Sequence, residues 1–324
     1  MTARFSSDSN LFKAMEVYVA IVETGQMTAA ARLVGMTQSA ASQHLANLEQ
    51  AYDARLIDRS TRPVKPTQAG ELMYRHATRI LNSVADLATD MRHQGPHPIS
   101  VLRMGILASI ATTLSVPLVQ QAKDRFGVQD MTLRAGQSGD HETLLRTKRA
   151  DIVISSNPFY DMDGLERHPV LSEAFLLVLP KSYDGPSTRL EDILARLPLV
   201  RFADTTSVGR QTEAHLRRLK LNVPRLIQAD RSSMVTACVA RGMGFTLLTP
   251  TLLIDGFVEQ MPLDIRPLPV AGLSRRITVV SRERELGDLP AVFAETSRTA
   301  LLEQIGSQMG EAGLGAIRTQ DSET

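Results

Sequence analysis

The sequence predicts two architectures in one chain: an all-α N-terminal module that ends in a long helix, and a larger α/β region. Three observations carry this. Apolar residues recur at helical spacing as far as the turn-forming cluster Gly95-Pro96-His97-Pro98; beyond it, short β-rich runs alternate with helical stretches, as in a parallel sheet covered by helices; and 324 residues, at ~150 per domain, suffice for about two domains. The main boundary falls at that cluster, because its glycine and prolines cannot continue a helix.

Composition narrows the function classes. With 43% hydrophobic and 22% charged residues the chain is neither disordered nor fibrous. No run approaches the ~18 apolar residues of a membrane span; the most continuous stretch, Ala174 to Leu179, is bounded by Glu173 and Pro180 and reads as a buried strand. The polar start, Met1 to Asn10, lacks the apolar core of a signal peptide. A single cysteine, Cys238, allows neither an internal disulfide nor a Cys-rich metal site, which points to a reducing, cytoplasmic home. Thirty-six basic against thirty-five acidic residues leave a net charge of +1, so any nucleic-acid contact must come from a local patch.

Leu11, Met15, Tyr18, Val19 and Val22 share one helix face, and Gly25 stops that helix. Thr28 caps a short, alanine-rich helix to Leu33; Val34-Gly35-Met36 turns the chain; Thr37 opens a helix that runs through Gln50. Helix, glycine-containing turn, helix is the helix-turn-helix arrangement. Ala41, Leu45 and Leu48 form its inward stripe, while the outward Gln38, Ser39, Ser42, Gln43 and His44 are short or amide-bearing, the side chains that reach base edges in a major groove. Any small helical bundle also carries amides on a solvated face. A second feature favours nucleic acid: Arg55, Arg59, Arg62 and Lys65, with Asp58 the one negative charge among them, can hold phosphates just after the reading helix.

Past Thr67, Met73, Ala77, Ile80, Val84, Leu87 and Met91 alternate at spacings of four and three, a heptad seam. Packing on its own domain is one use for such a seam; because a small module offers little surface for it, pairing with a second copy is the reading preferred. A two-fold dimer would present two reading helices to half-sites ~34–36 Å apart. In the α/β region strands are expected at Leu102–Leu107, Met131–Ala135, Asp151–Ser155, Phe175–Leu179, Leu199–Phe202, Arg225–Gln228, Phe245–Leu248 and Arg276–Ser281, then a helix from about Leu289 to Ile305. From Gly306 four glycines and no sustained period predict a mobile tail.

Residues 11–92 resemble the N-terminal domain of LysR-type transcriptional regulators, through Gly25-Gln26-Met27-Thr28-Ala29-Ala30-Ala31, Thr37-Gln38-Ser39-Ala40-Ala41-Ser42-Gln43-His44-Leu45, Leu48-Glu49, Arg55-Leu56-Ile57-Asp58-Arg59 and Thr67-Gln68-Ala69-Gly70. Arg149-Ala150-Asp151-Ile152-Val153-Ile154 and Val239-Ala240-Arg241-Gly242-Met243-Gly244 look like landmarks of the same family further on. The resemblance implies a winged helix-turn-helix over 1–66 in which Thr28, Arg32 and Thr37 join the DNA-facing set, and a dimerisation helix over 67–94. It implies a two-lobed effector domain similar to periplasmic binding proteins over 95–305, second lobe about 166–267, with a tail over 306–324. The implied partners are double-stranded DNA, a small-molecule effector, further copies in a homodimer or homotetramer, and RNA polymerase; no cofactor or metal is implied. Two positions depart from the family: Gln43 stands where many members carry arginine, in a reading helix without any Lys or Arg, and Asp53 replaces a usual glycine.

Hydroxyls mark where an effector would sit. Ser109, Thr112 and Thr113 follow the first strand and start a helix; Thr205, Thr206 and Ser207 do the same after Phe202. Helix N-termini with free N–H groups are ready anion sites, and ligands of parallel sheets bind beyond the carboxyl ends of the strands. Plain helix capping is the competing reading for each hydroxyl. The resemblance turns Ser109 and Thr205 towards the ligand, followed by Ser155 and Ser156, then Gln137, Phe202 and Phe245. Arg201 and Arg210 are candidates to balance a ligand's charge, with plain surface arginine the safer reading for either. A small carboxylate is the natural occupant, and a charge-free cleft would instead take a neutral or aromatic one.

Other chemistry lacks its pattern. Gly242-Met243-Gly244 follows a helix and precedes a strand, the wrong context for a dinucleotide loop. The seven histidines show no metal spacing, no G-x-S-x-G elbow or P-loop occurs, and Cys238 lies among small apolar residues. An enzyme with a DNA-binding appendage is therefore disfavoured. A regulator whose C-terminal domain only oligomerises remains a rival.

Overall fold

A computed structural model describes residues 8–92, 99–221, 223–224, 226–270 and 272–319. The expected boundary cluster Gly95–Pro98, residue Arg225 and the side chain of Met91 lie outside the described set. Two compact units make up the chain: one holds the N-terminal helices and groups with residues 144–149, and the other runs from His97 within the cluster to Thr143 and on from Ala150.

The N-terminal unit contains α1 (Asp8–Thr24), α2 (Met27–Leu33), α3 (Gln38–Ala51), the two-residue strands β1 (Ile57–Asp58) and β2 (Lys65–Pro66), and α4 (Gln68–Arg92). Its core gathers Met15, Tyr18 and Ile21 of α1, Ala30 and Ala31 of α2, Ala41, Leu45 and Leu48 of α3, and Ala77 of α4. The alanines of α2 let the helices approach closely, while the leucines of α3 fill the space left. Gly25 ends α1 at φ +65°, and a Cβ there would stand 2.7 Å from that of Pro63, so the turn and the wing can meet only over glycine. Val64 donates its N–H to the Gly25 carbonyl at 2.9 Å, and β1 and β2 pair antiparallel as the wing. Asp53 adopts the left-handed conformation, at φ +47°.

The seam on α4 divides. Ala77 is fully buried, and Met73 and Ile80 pack partly on the unit's own core, whereas Val84 and Leu87 are 45% and 60% exposed. The expectation that the whole seam serves pairing is corrected for its first half: three helices of this size leave a face that α4 must cover.

The C-terminal unit starts its first lobe with β3 (Val101–Leu107), α5 (Ala108–Phe126), β4 (Asp130–Gly136), α6 (Ser138–Arg146), β5 (Ile152–Ser155) and β6 (Leu165–Ala174). A second lobe follows: β7 (Leu176–Pro180), α7 (Leu190–Leu194), β8 (Val200–Phe202), α8 (Ser207–Arg218), β9 (Ile227–Ala229), α9 (Ser232–Ala240), β10 (Thr246–Leu248), α10 (Pro250–Asp255) and β11 (Leu263–Pro267). The chain returns through β12 (Ser274–Arg282), α11 (Leu289–Leu314) and β13 (Ile317–Arg318).

The first lobe's sheet runs β13-β6-β12-β5-β3-β4. Only β3 with β4 and β5 is parallel; β12 and β6 run antiparallel to their neighbours, so the expected parallel sheet is mixed. The returning strand causes this, since it enters the lobe from the opposite end. In the second lobe β7 lies between β10 and β11, and a bridge from Leu199 to Phe245 connects β10 to the parallel pair β8-β9. Each lobe has its own apolar core.

Three expectations about boundaries change. The second lobe spans 175–273 rather than 166–267, because all of β6 belongs to the first lobe's sheet; the two crossings run side by side, Phe175 N–H bonding to the Leu273 carbonyl at 3.1 Å. Residues 306–319 are no mobile tail: α11 continues to Leu314, with a break at Gly310, and β13 pairs with β6. The strand β6 itself is not among the expected ones, for a reason visible at Pro169. The ladder with β12 slips between Ile277 and Thr278, opposite Val170, so the missing N–H of Pro169 falls at an irregularity. Arg298 of α11 donates to the carbonyls of Pro169 and Val170 at 3.0 and 2.9 Å. Among the described residues no helix is long and apolar enough to cross a membrane.

Candidate functional sites

Two surfaces collect the predicted residues. The first is the exposed face of α3 with its surroundings. Thr37 caps the helix, its Oγ1 accepting from Ala40 N–H at 3.2 Å and lying 3.0 Å from Ser39 Oγ. Gln38, Ser39, Ser42 and Gln43 are exposed; His44 is half-buried. Thr28 of α2 donates to Gln38 Oε1 at 3.1 Å, which turns the Gln38 amide nitrogen outward, and Gln43 donates to Asn47 at 2.8 Å, holding a neutral amide where a guanidinium would extend further. Arg32, Arg55, Arg59, Arg62 and Lys65 are exposed. Glu49, absent from the predicted set, positions the wing: its carboxylate accepts from Leu56 N–H at 2.8 Å and from Arg59 at 3.3 Å. Hydrogen bonds from the Ser60 side chain and backbone hold the Asp58 carboxyl below its usual range, so the wing keeps one fixed negative charge.

The second surface is a cleft in the C-terminal unit, about 90 Å³ in volume, where four helices from both lobes begin. Ser109 of α5, Gln137 and Ser138 at α6, Thr206 and Ser207 at α8, and Ser232 of α9 line it, with Ser156 and Phe202 from strand ends. The pattern arises because strand-to-helix turns of parallel strands all open at one edge. Ser138 and Ser156 bond to each other at 2.9 Å, tying α6 to the end of β5. Thr206 caps α8, its Oγ1 accepting from Gly209 N–H at 2.9 Å.

Beneath the cleft lies a charged network that the sequence did not single out. Arg275, which lines the cleft, and Glu173 face each other in register on β12 and β6, their side chains 3% and 0% exposed. Arg275 Nε donates to Glu173 at 2.7 Å, and its Nη2 reaches Glu173, Thr251 and, at 3.3 Å, Ser109. Glu173 also accepts from the N–H and hydroxyl of Thr251 at the start of α10, at 3.0 and 2.8 Å. A buried cation beside a buried anion is tolerable because each satisfies the other's hydrogen-bonding needs. No local sequence signal marks this pair, whose members lie about a hundred residues apart.

Four predicted positions do not line the cleft. Phe245 is buried in the second lobe's core, where its N–H and carbonyl bridge Pro198 and Val200. Ser155 is fully buried and accepts from Asn157 N–H at 3.2 Å; consecutive strand residues point to opposite faces, so Ser156 takes the cleft instead. Thr205 is exposed one residue before the capping Thr206, and Thr112 is exposed on α5. Neither arginine candidate reaches the site: Arg201 pairs with Glu213 and the Val223 carbonyl, and Arg210 donates to the carbonyls of Asp204 and Thr205.

Comparison with known proteins gives two family matches: "LysR substrate binding domain" over residues 96–301 and "Bacterial regulatory helix-turn-helix protein, lysR family" over residues 12–71. The chain is 28% identical over 240 residues to the nitrogen assimilation regulatory protein nac of Klebsiella aerogenes, covering 72% of this chain and 76% of that protein. It is 27% identical over 238 residues to a probable hydrogen peroxide-inducible genes activator of Mycobacterium leprae, covering 72% and 76%. The fold is similar to that of a full-length OxyR variant from Pseudomonas aeruginosa, with a TM-score of 0.61 at 16% identity over 89% of this chain and 97% of that one.

Proposed function

Because the chain belongs to the LysR family of bacterial transcriptional regulators, we propose that α3 and the β1–β2 wing form its DNA surface, that the exposed half of α4 pairs it with a second copy, and that a small carboxylate bound between the lobes sets its output. The carrying observation is the convergence of four helix N-termini and Arg275 on one cleft, which offers N–H donors to a carboxylate although Asp230 and Asp255 also line it. A ligand there touches both lobes, so its differential affinity for their arrangements becomes a change in regulatory state. The chain works as a homodimer or homotetramer in the cytoplasm, with RNA polymerase as a further partner. Its family is one of transcriptional regulators, and turnover of the bound molecule is no part of this reading.

Gln38 reads bases and Arg59 holds phosphate in this assignment. Gln38→Ala is therefore expected to lose discrimination among sites, whereas Arg59→Ala weakens binding to every sequence and reduces the salt slope by about one. Nuclease protection upstream of the protein's own gene, at several salt concentrations and with a panel of carboxylates, measures both. Identical behaviour of the two variants would overturn this division. A regulator whose C-terminal unit only oligomerises would show no change in melting with any small molecule.

A further inference from the structure

The cleft is charged on both sides, and the two sides differ. On the first lobe Arg275 keeps its Nη1 without a hydrogen-bond partner among the described residues, although the rest of its guanidinium is fully engaged. Its charge is matched by Glu173, so what Nη1 offers a ligand is a directed pair of N–H donors, next to the Ser109 hydroxyl and the start of α5. On the second lobe the lining includes Asp230 and Asp255, neither of which has a hydrogen bond or ion pair among the described residues. Arg231 also lines the cleft, exposed, and forms no ion pair with either carboxylate.

Asp255 is the more telling of the two. It is half-buried at the last turn of α10, four residues after Thr251, whose hydroxyl touches the Arg275 guanidinium. The Asp255 carboxylate has no protein donor among the described residues, and it lines the same small space as an arginine with a donor group to spare. That pairing suits a ligand whose anionic and cationic groups sit on one carbon atom.

We propose that the effector is an α-amino acid, its carboxylate held by Arg275 Nη1 and the start of α5, and its ammonium by Asp255 with Asp230 at the rim. This rests on the effector reading above and adds the amine. A plain carboxylate leaves Asp255 without a partner; an amino acid engages both charges, and that difference separates occupancy from closure. The cleft's size, well below the ~300–1,000 Å³ of larger ligand sites, favours small side chains.

The test uses the full-length protein in thermal-shift titrations with the common L-amino acids and glycine, each against its deaminated hydroxy acid and its decarboxylated amine; alanine, lactate and ethylamine form one such set. At least one amino acid is expected to raise the melting temperature at a tenfold or greater lower concentration than either analogue. Asp255→Asn is expected to abolish that preference, bringing the amino acid's response down to that of its hydroxy acid. If hydroxy acids stabilise as well as amino acids, the amine inference fails and the carboxylate effector stands. If no member of any set shifts melting, both readings fail.

Discussion

His141 shows how one buried side chain sets a pH response. It sits on α6, fully buried over Gly105, and burial pushes its pKa down to about 4. The unfolded chain therefore takes up a proton near pH 6.5 that the folded chain refuses until about pH 4. Stability from this residue is complete above pH 7 and falls as the pH drops through that window, by roughly 2 kcal/mol between pH 7 and 5. Urea unfolding of the protein and of His141→Leu at both pH values measures it, and the variant is expected to lose most of the difference. At the same scale, Gly70 is legible only afterwards: a Cβ there would meet the Leu56 carbonyl oxygen at 2.0 Å, so the family-like Thr67-Gln68-Ala69-Gly70 motif records a close approach of α4 to the wing's root. The sequence showed the motif; the reason for its glycine is a contact between segments, which no local pattern encodes.

Among elements, legibility followed periodicity. The amphipathic helices α1, α3 and α4 and the apolar strands β3, β5 and β7 stand where their spacing put them, because each buries a continuous face or run. β6 escaped notice since its Leu-Glu-Arg-His-Pro start reads as a loop, and its place in the sheet depends on β12, a hundred residues later, and on Arg298. On α4, the exposed Val84 and Leu87 leave apolar surface that the proposed pairing with a second copy would cover. Leu87→Glu is expected to weaken self-association at least tenfold while changing the melting of the N-terminal unit little, since the side chain supports no core of its own. Sedimentation equilibrium beside circular dichroism separates those effects; a variant that still sediments as the wild type would mean the seam is not an interface.

At the level of the whole molecule, the two-lobed plan came from the family resemblance, but the charged network at the crossing between lobes did not. Glu173 and Arg275 meet only because both crossing strands run side by side, so the pair is a product of topology. The cleft was partly legible for the same reason: Ser109, Gln137, Ser156, Phe202 and Ser207 follow strand ends, whereas Arg275, Asp230 and Asp255 carry no mark of their position. Glu173→Ala leaves a buried guanidinium without its counter-charge and is expected to destabilise the C-terminal unit by about 3–5 kcal/mol, measured by chemical denaturation. A loss below ~1 kcal/mol would show that water replaces the carboxylate.

The pairing of β13 with β6 has a further consequence for handling the protein. β13 covers the outer edge of the six-stranded sheet along Ser172 and Glu173, and the Ala316 carbonyl accepts from Ala174 N–H at 2.7 Å. Cutting the chain before Gly315 uncovers those backbone groups and lengthens the unpaired margin of β6 that another molecule's strand can join. A shortened version made to improve crystallisation is therefore expected to aggregate more readily than the full chain, even though the deleted residues look, by composition, dispensable.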